Sequence, residues 1–229
     1  MESCKLPHTR EGKLKLMRTA DLRTRLLAAA LSAVAGFVDA VGFLLTGGFF
    51  VSFMSGNTTR MAVGLAQSTH PALVAGALIG LFVTGVFAGT VLGRLAGAVR
   101  RPAVLAAVTL LLAAAALCHG LGASALAVGL LALAMGAENT VLTEEGEAPV
   151  GVTYMTGALV KLGKRLALIP FGGDRWAWVP MLLLWLGLLT GAILGALAFA
   201  RLGGAALWIA SAALALLTVI TLLRRRGPG

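Results

Sequence analysis

Two acidic residues, Asp39 and Glu138, stand inside long apolar stretches of the sequence. A carboxylate within hydrocarbon is costly and marks a functional site by default, often one that binds and releases a proton. We therefore identify both residues as candidate proton-coupling groups. The alternative for Asp39 is a fixed ion pair or a hydrogen bond to a neighbouring helix. Glu138 differs in that Glu144, Glu145 and Glu147 follow it closely, and we interpret those three as a solvated loop.

A short polar motif occurs twice, as VSFMSG over residues 51–56 and as VTYMTG over residues 152–157. In each copy a β-favouring run leads into a turn and then into an apolar helix. The unpaired N–H groups at such a helix start, with nearby hydroxyl and amide groups, are suited to a polar or anionic solute. The candidate substrate-binding residues are Ser55, Gly56, Asn57, Thr58, Asn139, Thr153, Thr156 and Gly157. Alternatively, these residues only cap buried helix ends.

Arg60 and Lys161 occupy equivalent positions, shortly after the start of each of these two helices. As electrostatic residues they would draw an anion toward the centre from opposite sides. The alternative is that each side chain extends along apolar surface to the nearer lipid headgroups.

The sequence predicts no enzyme, cofactor or metal site. No nucleophile and base are paired in a recognisable motif, and the sequence has no Walker motif, CxxC or HExxH. The two cysteines, Cys4 and Cys118, stand far apart without metal-ligand spacing.

Composition indicates an all-α membrane protein. The chain has 229 residues, of which 59% are hydrophobic and 12% charged, about half the charge of a soluble domain. The mean hydropathy is +0.93. Apolar runs rich in Ala, Leu, Gly and Val satisfy their own backbone groups as helices. The net charge of +10 lies in tails and loops, which favours the lipid bilayer over nucleic acid as a partner.

Eight apolar segments divide into two four-segment units. We predict a basic cytoplasmic tail over residues 1–21, a first repeat over 22–120, a second repeat over 121–223 and a basic C-terminal tail over 224–229. The segments lie at about 22–46, 49–67, 72–98, 103–119, 123–143, 150–169, 176–200 and 205–223. Besides the repeated motif, Thr84-Gly85 matches Thr190-Gly191, and Asp39 falls opposite Asn139.

The distribution of Lys and Arg indicates which segments cross the membrane. If all eight crossed with the basic tail inside, the cationic loop at 94–101 would lie outside, against the positive-inside tendency. If the second and sixth segments enter and return, all Lys and Arg except Arg60 and Arg201 fall on the cytoplasmic side. The sequence thus predicts six transmembrane helices and two re-entrant broken half-helices, as two inverted repeats with both termini cytoplasmic. Such a pattern is typical of secondary transporters.

The chain also resembles a known family. Residues 35–66 read AGFVDAVGFLLTGGFFVSFMSGNTTRMAVGLA and residues 153–162 read TYMTGALVKL. Both stretches are similar to signatures of the YoaK-like family of bacterial inner-membrane proteins (DUF1275). The resemblance implies a multi-spanning inner-membrane protein and assigns no substrate or reaction. Two residues depart from the family pattern, because Arg60 replaces a commoner apolar residue and Glu138 a commoner Gln.

These observations predict a secondary transporter of a small, anionic or polar solute, bound between the two half-helix N-termini and coupled to protons. A passive channel using the same site is one alternative. A membrane scaffold or stress protein that transports nothing is another, and a membrane enzyme ranks last. The expected partners are the lipid bilayer and a small-molecule solute, while assembly into a homodimer stays open.

Overall fold

The computed structural model describes residues 10–67, 69–142 and 155–226, with side chains over 24–67, 70–142 and 155–223. This part of the chain consists of helices and connecting turns, as predicted for an all-α protein. The α-helices, in chain order, are α1 (Arg10–Leu45), α2 (Met54–Gln67), α3 (Thr69–Ala96), α4 (Arg100–Gly120), α5 (Ser124–Glu138), α6 (Met155–Leu168), α7 (Val179–Leu202) and α8 (Leu207–Arg226). Short 3-10 helices occupy Gly97–Val99, Ile169–Phe171 and Gly203–Ala206.

Helix α1 begins earlier than the first predicted segment, at Arg10 instead of Leu22. Residues 13–25 contain Leu, Lys, Arg and Met, which favour helix, and neither Gly nor Pro. The basic segment therefore continues the first apolar helix instead of being separated from it. The first nine residues lie outside the described part of the chain.

Three stretches are long and apolar enough to cross a membrane, namely Thr24–Leu45, His70–Gly120 and Val179–Leu223. The second and third stretches each contain a glycine with positive φ, Gly97 at 51° and Gly203 at 56°. At each glycine a 3-10 turn separates two helices, α3 from α4 and α7 from α8. The described chain is thus a helical membrane protein, in which α3 packs on α4, whereas α7 and α8 are joined by a turn and lie apart.

Helices α2 and α6 are shorter than a bilayer is thick. Each has 14 residues, which gives a length of about 21 Å, whereas the hydrocarbon core measures about 30 Å. Helix α5 has 15 residues, and it packs against α1, α3 and α4, so most of its surface is buried in protein.

The first half of the chain contains α1–α4 and the second half contains α5–α8. The most extensive packing joins the first helix of each half to the third helix of the other half, α1 with α7 and α5 with α3. Glycines bring the backbones close together: Gly191 lies against Ala33, and Gly85 against the carbonyl group of Leu133. Across the first pair, the Ser32 hydroxyl also donates a hydrogen bond to the Leu184 carbonyl at 2.8 Å. Small residues allow this approach where lipid gives helices no hydrophobic reason to associate.

The contacts also give the helix directions. In the α1–α7 pair, Ala29 lies beside Gly187 and Phe37 beside Gly195, so these two helices run parallel. In the α3–α5 pair, Leu81 lies beside Gly129. Further along both helices, Ala137 lies beside Gly89, so α3 and α5 are parallel as well.

Helices α4 and α8 run in opposite directions. His119, at the end of α4, lies against Gly204, just before α8 begins. Earlier in α4, the Thr109 hydroxyl lies 3.4 Å from that of Thr218, in the later part of α8. The protein core lies where α1, α4, α5 and α8 meet, and its largest fully buried apolar side chains include Leu31, Leu105, Leu112, Leu131, Met135, Leu207 and Leu214.

Candidate functional site

Irregular backbone joins α1 to α2 at the first copy of the repeated motif. The chain leaves α1 through Gly47 and Gly48, whose φ angles of 66° and 123° suit glycine. The Thr46 hydroxyl accepts a hydrogen bond from the Phe49 N–H at 2.9 Å. The β-favouring run that follows is an extended connection into Met54, the first residue of α2.

Asp39 holds this connection in place. Its Oδ1 atom accepts hydrogen bonds from the backbone N–H groups of Val51 and Ser52, each at 2.8 Å. Both donors belong to backbone that no helix satisfies, so the carboxylate replaces the partners that water would supply. This geometry favours the hydrogen-bond alternative for Asp39 over a freely titrating site.

Asn57 is fully buried and is committed to the same connection. Its Oδ1 atom accepts the Phe50 N–H at 3.0 Å, and its Nδ2 atom donates to the Phe50 carbonyl at 2.6 Å. A side-chain amide paired with one peptide group in this way mimics a strand partner. Asn57 therefore positions the start of α2, whereas the sequence predicts that it binds solute.

The other predicted residues of the first motif have free surface. Ser55 and Thr58 are exposed and Gly56 is partly buried. The Thr58 hydroxyl donates to the Met54 carbonyl at 2.9 Å within α2, which leaves its oxygen able to accept. A side chain at Gly56 would strike Phe50 and Phe53, so the close packing there requires glycine.

Arg60 folds back over the connection and is partly buried. Its guanidinium carbon lies 5.0 Å from the centre of the Phe49 ring and 6.0 Å from that of Phe43. Gly48 leaves the space that the guanidinium group occupies. Cation–π contacts of this kind hold the charge close to the helix start without neutralising it.

The second copy of the motif is described from Met155, so the predicted residue Thr153 lies outside the described residues. Within α6, Thr156 and Lys161 are exposed and Gly157 is partly buried. Helix α2 packs on α3, and α6 packs on α7. Within the described ranges α2 and α6 share no packing contact, so a solute site between their N-termini would lie in the space that separates them.

Asn139 and Glu138 end helix α5. Asn139 forms the helix C-cap, and its Nδ2 atom donates to the Met135 carbonyl at 2.8 Å. The guanidinium group of Arg100 donates to the Thr140 carbonyl at 2.9 Å, where a cation complements the end of the helix dipole. Glu138 is fully buried, and neither carboxyl oxygen has a hydrogen-bond partner among the residues that the structure describes.

The sequence reasoning missed two features of this site. The phenylalanines Phe43 and Phe50, whose ring centres lie 4.9 Å apart, form an aromatic wall beside the helix start. Thr46 fastens the glycine turn. The run Thr46-Gly47-Gly48-Phe49-Phe50 carries both signals in the sequence, because a hydroxyl before two glycines is a common turn device.

Comparisons with known proteins agree with a membrane protein. Residues 27–220 match a family described as "Protein of unknown function (DUF1275)". A UPF0700 transmembrane protein of Rhizobium meliloti (strain 1021) is 42% identical over 192 residues, which cover 84% of this chain and 83% of that protein. No solved structure matches the chain. The region matched to the family includes every candidate site residue discussed above.

Proposed function

We propose, from the premise that this chain belongs to the DUF1275 family of membrane proteins, that it is a secondary transporter of a small, anionic or polar solute. Its site would lie between the N-terminal ends of α2 and α6, and transport would be coupled to protons. The solute is moved and not chemically converted. We place the protein in the bacterial inner membrane with both termini in the cytoplasm.

The observation that carries this proposal is the set of helix directions. Helices α1 and α7 run parallel and so do α3 and α5, whereas α4 and α8 run antiparallel. If all eight helices crossed the membrane in turn, α4 and α8 would run in the same direction. The observed directions fit together when the α2 segment and the α6 segment each return to the side of the membrane from which they entered. The other six helices then span the membrane.

This arrangement makes the two halves inverted copies. The first half then starts from the cytoplasm and the second from outside, with a short interrupted helix at the same place in each. Inverted repeats with discontinuous segments in matching positions are a recurrent architecture of secondary transporters. Their half-helix N-termini point partial positive charge into the membrane, where an anion or a polar group is stabilised.

Within this site the residues divide into two groups. Asp39 and Asn57 use their polar atoms to hold the start of α2. The hydroxyl groups of Ser55, Thr58 and Thr156 remain accessible to a solute, and Gly56 and Gly157 allow it to approach the backbone. Thr153 and Asn139 complete the proposed set from the second half. Arg60 and Lys161 supply positive charge, which favours an anion.

We assign proton coupling chiefly to Glu138. Among the described residues neither carboxyl oxygen of Glu138 has a hydrogen-bond partner, and a buried carboxyl group in such a place is most stable in its neutral, protonated form. It can release that proton only when the protein admits water or a cation to it, so its protonation depends on conformation. That dependence is what coupling to a proton gradient requires. Asp39 has a fixed pair of donors instead, so its contribution to coupling would be indirect.

The proposed topology is tested by labelling single cysteines in a chain whose two native cysteines, Cys4 and Cys118, are replaced by alanine. Gln67→Cys and Leu121→Cys should react with a membrane-impermeant maleimide added outside whole cells. Val99→Cys should react only after the cells are opened. Eight crossings would reverse all three results. Leu202→Cys is the control, since it lies outside in both topologies.

Transport is tested with the purified protein in vesicles that enclose a pH-sensitive dye. Inorganic phosphate, sulfate, small carboxylates and amino acids are added one at a time. At least one should change the internal pH, and Glu138→Gln should reduce that change at least about tenfold, since it removes the only proposed proton carrier in the second half. Asp174→Asn, an exposed loop carboxylate, is the matched control and should behave as wild type.

Three outcomes would contradict the proposal. A solute-dependent pH change that survives in Glu138→Gln would remove the assigned coupling residue. Solute uptake without any pH change or accumulation would favour a passive channel. If no solute crosses the membrane, the result would favour the alternative that the protein is a scaffold and transports nothing.

A further inference from the structure

A groove bordered by helices of both halves lies apart from the proposed solute site. It lies between α1, α7 and α8, and its cavity volume is about 550 Å³. Its walls include Ala33 and Phe37 of α1, Leu197 of α7, and Ile209 and Ala213 of α8. The size falls within the range of ordinary ligand pockets, about 300–1,000 Å³. Since the lining is almost entirely aliphatic and aromatic, the groove suits a hydrocarbon chain.

One end of this groove carries a cation. Arg201 lines the groove in the last turn of α7 and is exposed. Within the described part of the chain, its guanidinium group has no hydrogen-bond or ion-pair partner. The groove reaches from Arg201 back to Gly191, a distance of about 15 Å along the helix. A cation at one end and about 15 Å of apolar wall beyond it match an anionic headgroup with an acyl chain.

The cation also lies at the correct depth for a headgroup. Trp208, at the start of α8, is 49% exposed and follows Arg201 across the turn between α7 and α8. Exposed tryptophan is enriched at the boundary between hydrocarbon and headgroups. Arg201 and Trp208 therefore mark the membrane–water boundary, while Gly191 and Ala213 lie deeper.

We infer that the groove between α1, α7 and α8 binds one anionic phospholipid, with its phosphate on Arg201 and an acyl chain along the apolar walls. A planar guanidinium group donates two hydrogen bonds to phosphate oxygens in one plane. A second copy of this chain fits less well, because it would have to bury the unpaired Arg201 against another apolar surface, which is costly.

The test measures lipid binding to the purified full-length protein in detergent by native mass spectrometry. Dioleoyl phosphatidylglycerol and dioleoyl phosphatidylcholine are compared, since they share acyl chains and differ in net charge. We expect the anionic lipid to bind at least about tenfold more tightly, because the choline cation of phosphatidylcholine offsets the attraction between Arg201 and the phosphate that both lipids carry. Arg201→Gln should remove this preference, and Arg201→Lys should keep most of it.

Two further variants distinguish binding in the groove from general electrostatic attraction and from nonspecific adsorption of lipid. Arg175→Gln removes an exposed cation outside the groove and should leave the preference unchanged. Ala213→Trp fills the groove and should weaken binding of both lipids while Arg201 remains. Size-exclusion chromatography confirms that each variant is monodisperse before binding is compared.

The inference is overturned if Arg201→Gln keeps the wild-type preference, or if Arg175→Gln loses it equally. It is also overturned if inorganic phosphate alone binds at Arg201 as tightly as the lipid does, since the acyl chain would then contribute nothing. Equal binding of both lipids, with Ala213→Trp converting a dimer to a monomer, would instead assign the groove to a second copy of the chain.

Discussion

Replacing Gly191 with leucine is expected to push α7 away from α1 and to lower the free energy of unfolding by about 3–5 kcal/mol. The reason is geometric, because a Cβ atom at Gly191 would overlap the Ala33 carbonyl group. Backbone atoms cannot move aside as a flexible side chain can, so the two helices must separate along their length. Unfolding of the detergent-solubilised protein by added sodium dodecyl sulfate measures the loss.

The chain offers both a matched control and an independent repeat of this experiment. Gly80 lies on an exposed face of α3 with nothing near its Cβ position, so Gly80→Leu should leave stability unchanged or slightly higher. Gly85, which approaches Leu133 in the α3–α5 pair, should respond as Gly191 does. Equal stability of Gly80→Leu and Gly191→Leu would mean that α1 and α7 do not contact as described.

Asp39→Ala is expected to lower the free energy of unfolding by about 3–6 kcal/mol, since each hydrogen bond to a charged group contributes about 1.5–3 kcal/mol. The variant removes the acceptor of both the Val51 and the Ser52 N–H groups. These donors would remain unpaired, because Val51 and Ser52 are buried and water does not replace the lost partner there. The same denaturation in sodium dodecyl sulfate provides the measurement.

Two controls identify the cause of that loss. Asp39→Asn keeps an oxygen in place of Oδ1 and should recover at least half of the stability. Asp174 also accepts a backbone N–H, from Trp176 at 2.9 Å, but in an exposed loop, so Asp174→Ala should cost less than about 1 kcal/mol. If Asp39→Ala and Asp174→Ala behave alike, Asp39 does not hold the α1–α2 connection.

The positions of the helices follow closely from the hydropathy of the sequence. The predicted segments at 103–119, 176–200 and 205–223 agree within a few residues with α4, α7 and α8. The interruption before Met54 was also predictable, because two glycines and a β-favouring run cannot continue an apolar helix. These features depend on neighbouring residues, which is why a sequence reveals them.

The roles of individual polar residues were harder to predict. Asn57 is of a residue type that suits solute binding. However, both ends of its side-chain amide are hydrogen-bonded to the Phe50 peptide group. Arg60 rests on Phe43 and Phe49, which precede it by many residues. Such pairings depend on how the connection folds back over α2. Spacing along the chain does not encode that path, so the sequence supplied the candidates but not their partners.

The packing of each half on the other has a consequence for how the protein is made. Among the described helices, the first helix of each half packs most extensively on the third helix of the other half, with glycines at the contact. When the ribosome has synthesised only α1 to α4, the face of α1 that bears Ser32 is still uncovered, because α7 has not yet been made. Each half therefore packs extensively against the other, and the molecule resembles two interlocked subunits joined by the turn at 121–123.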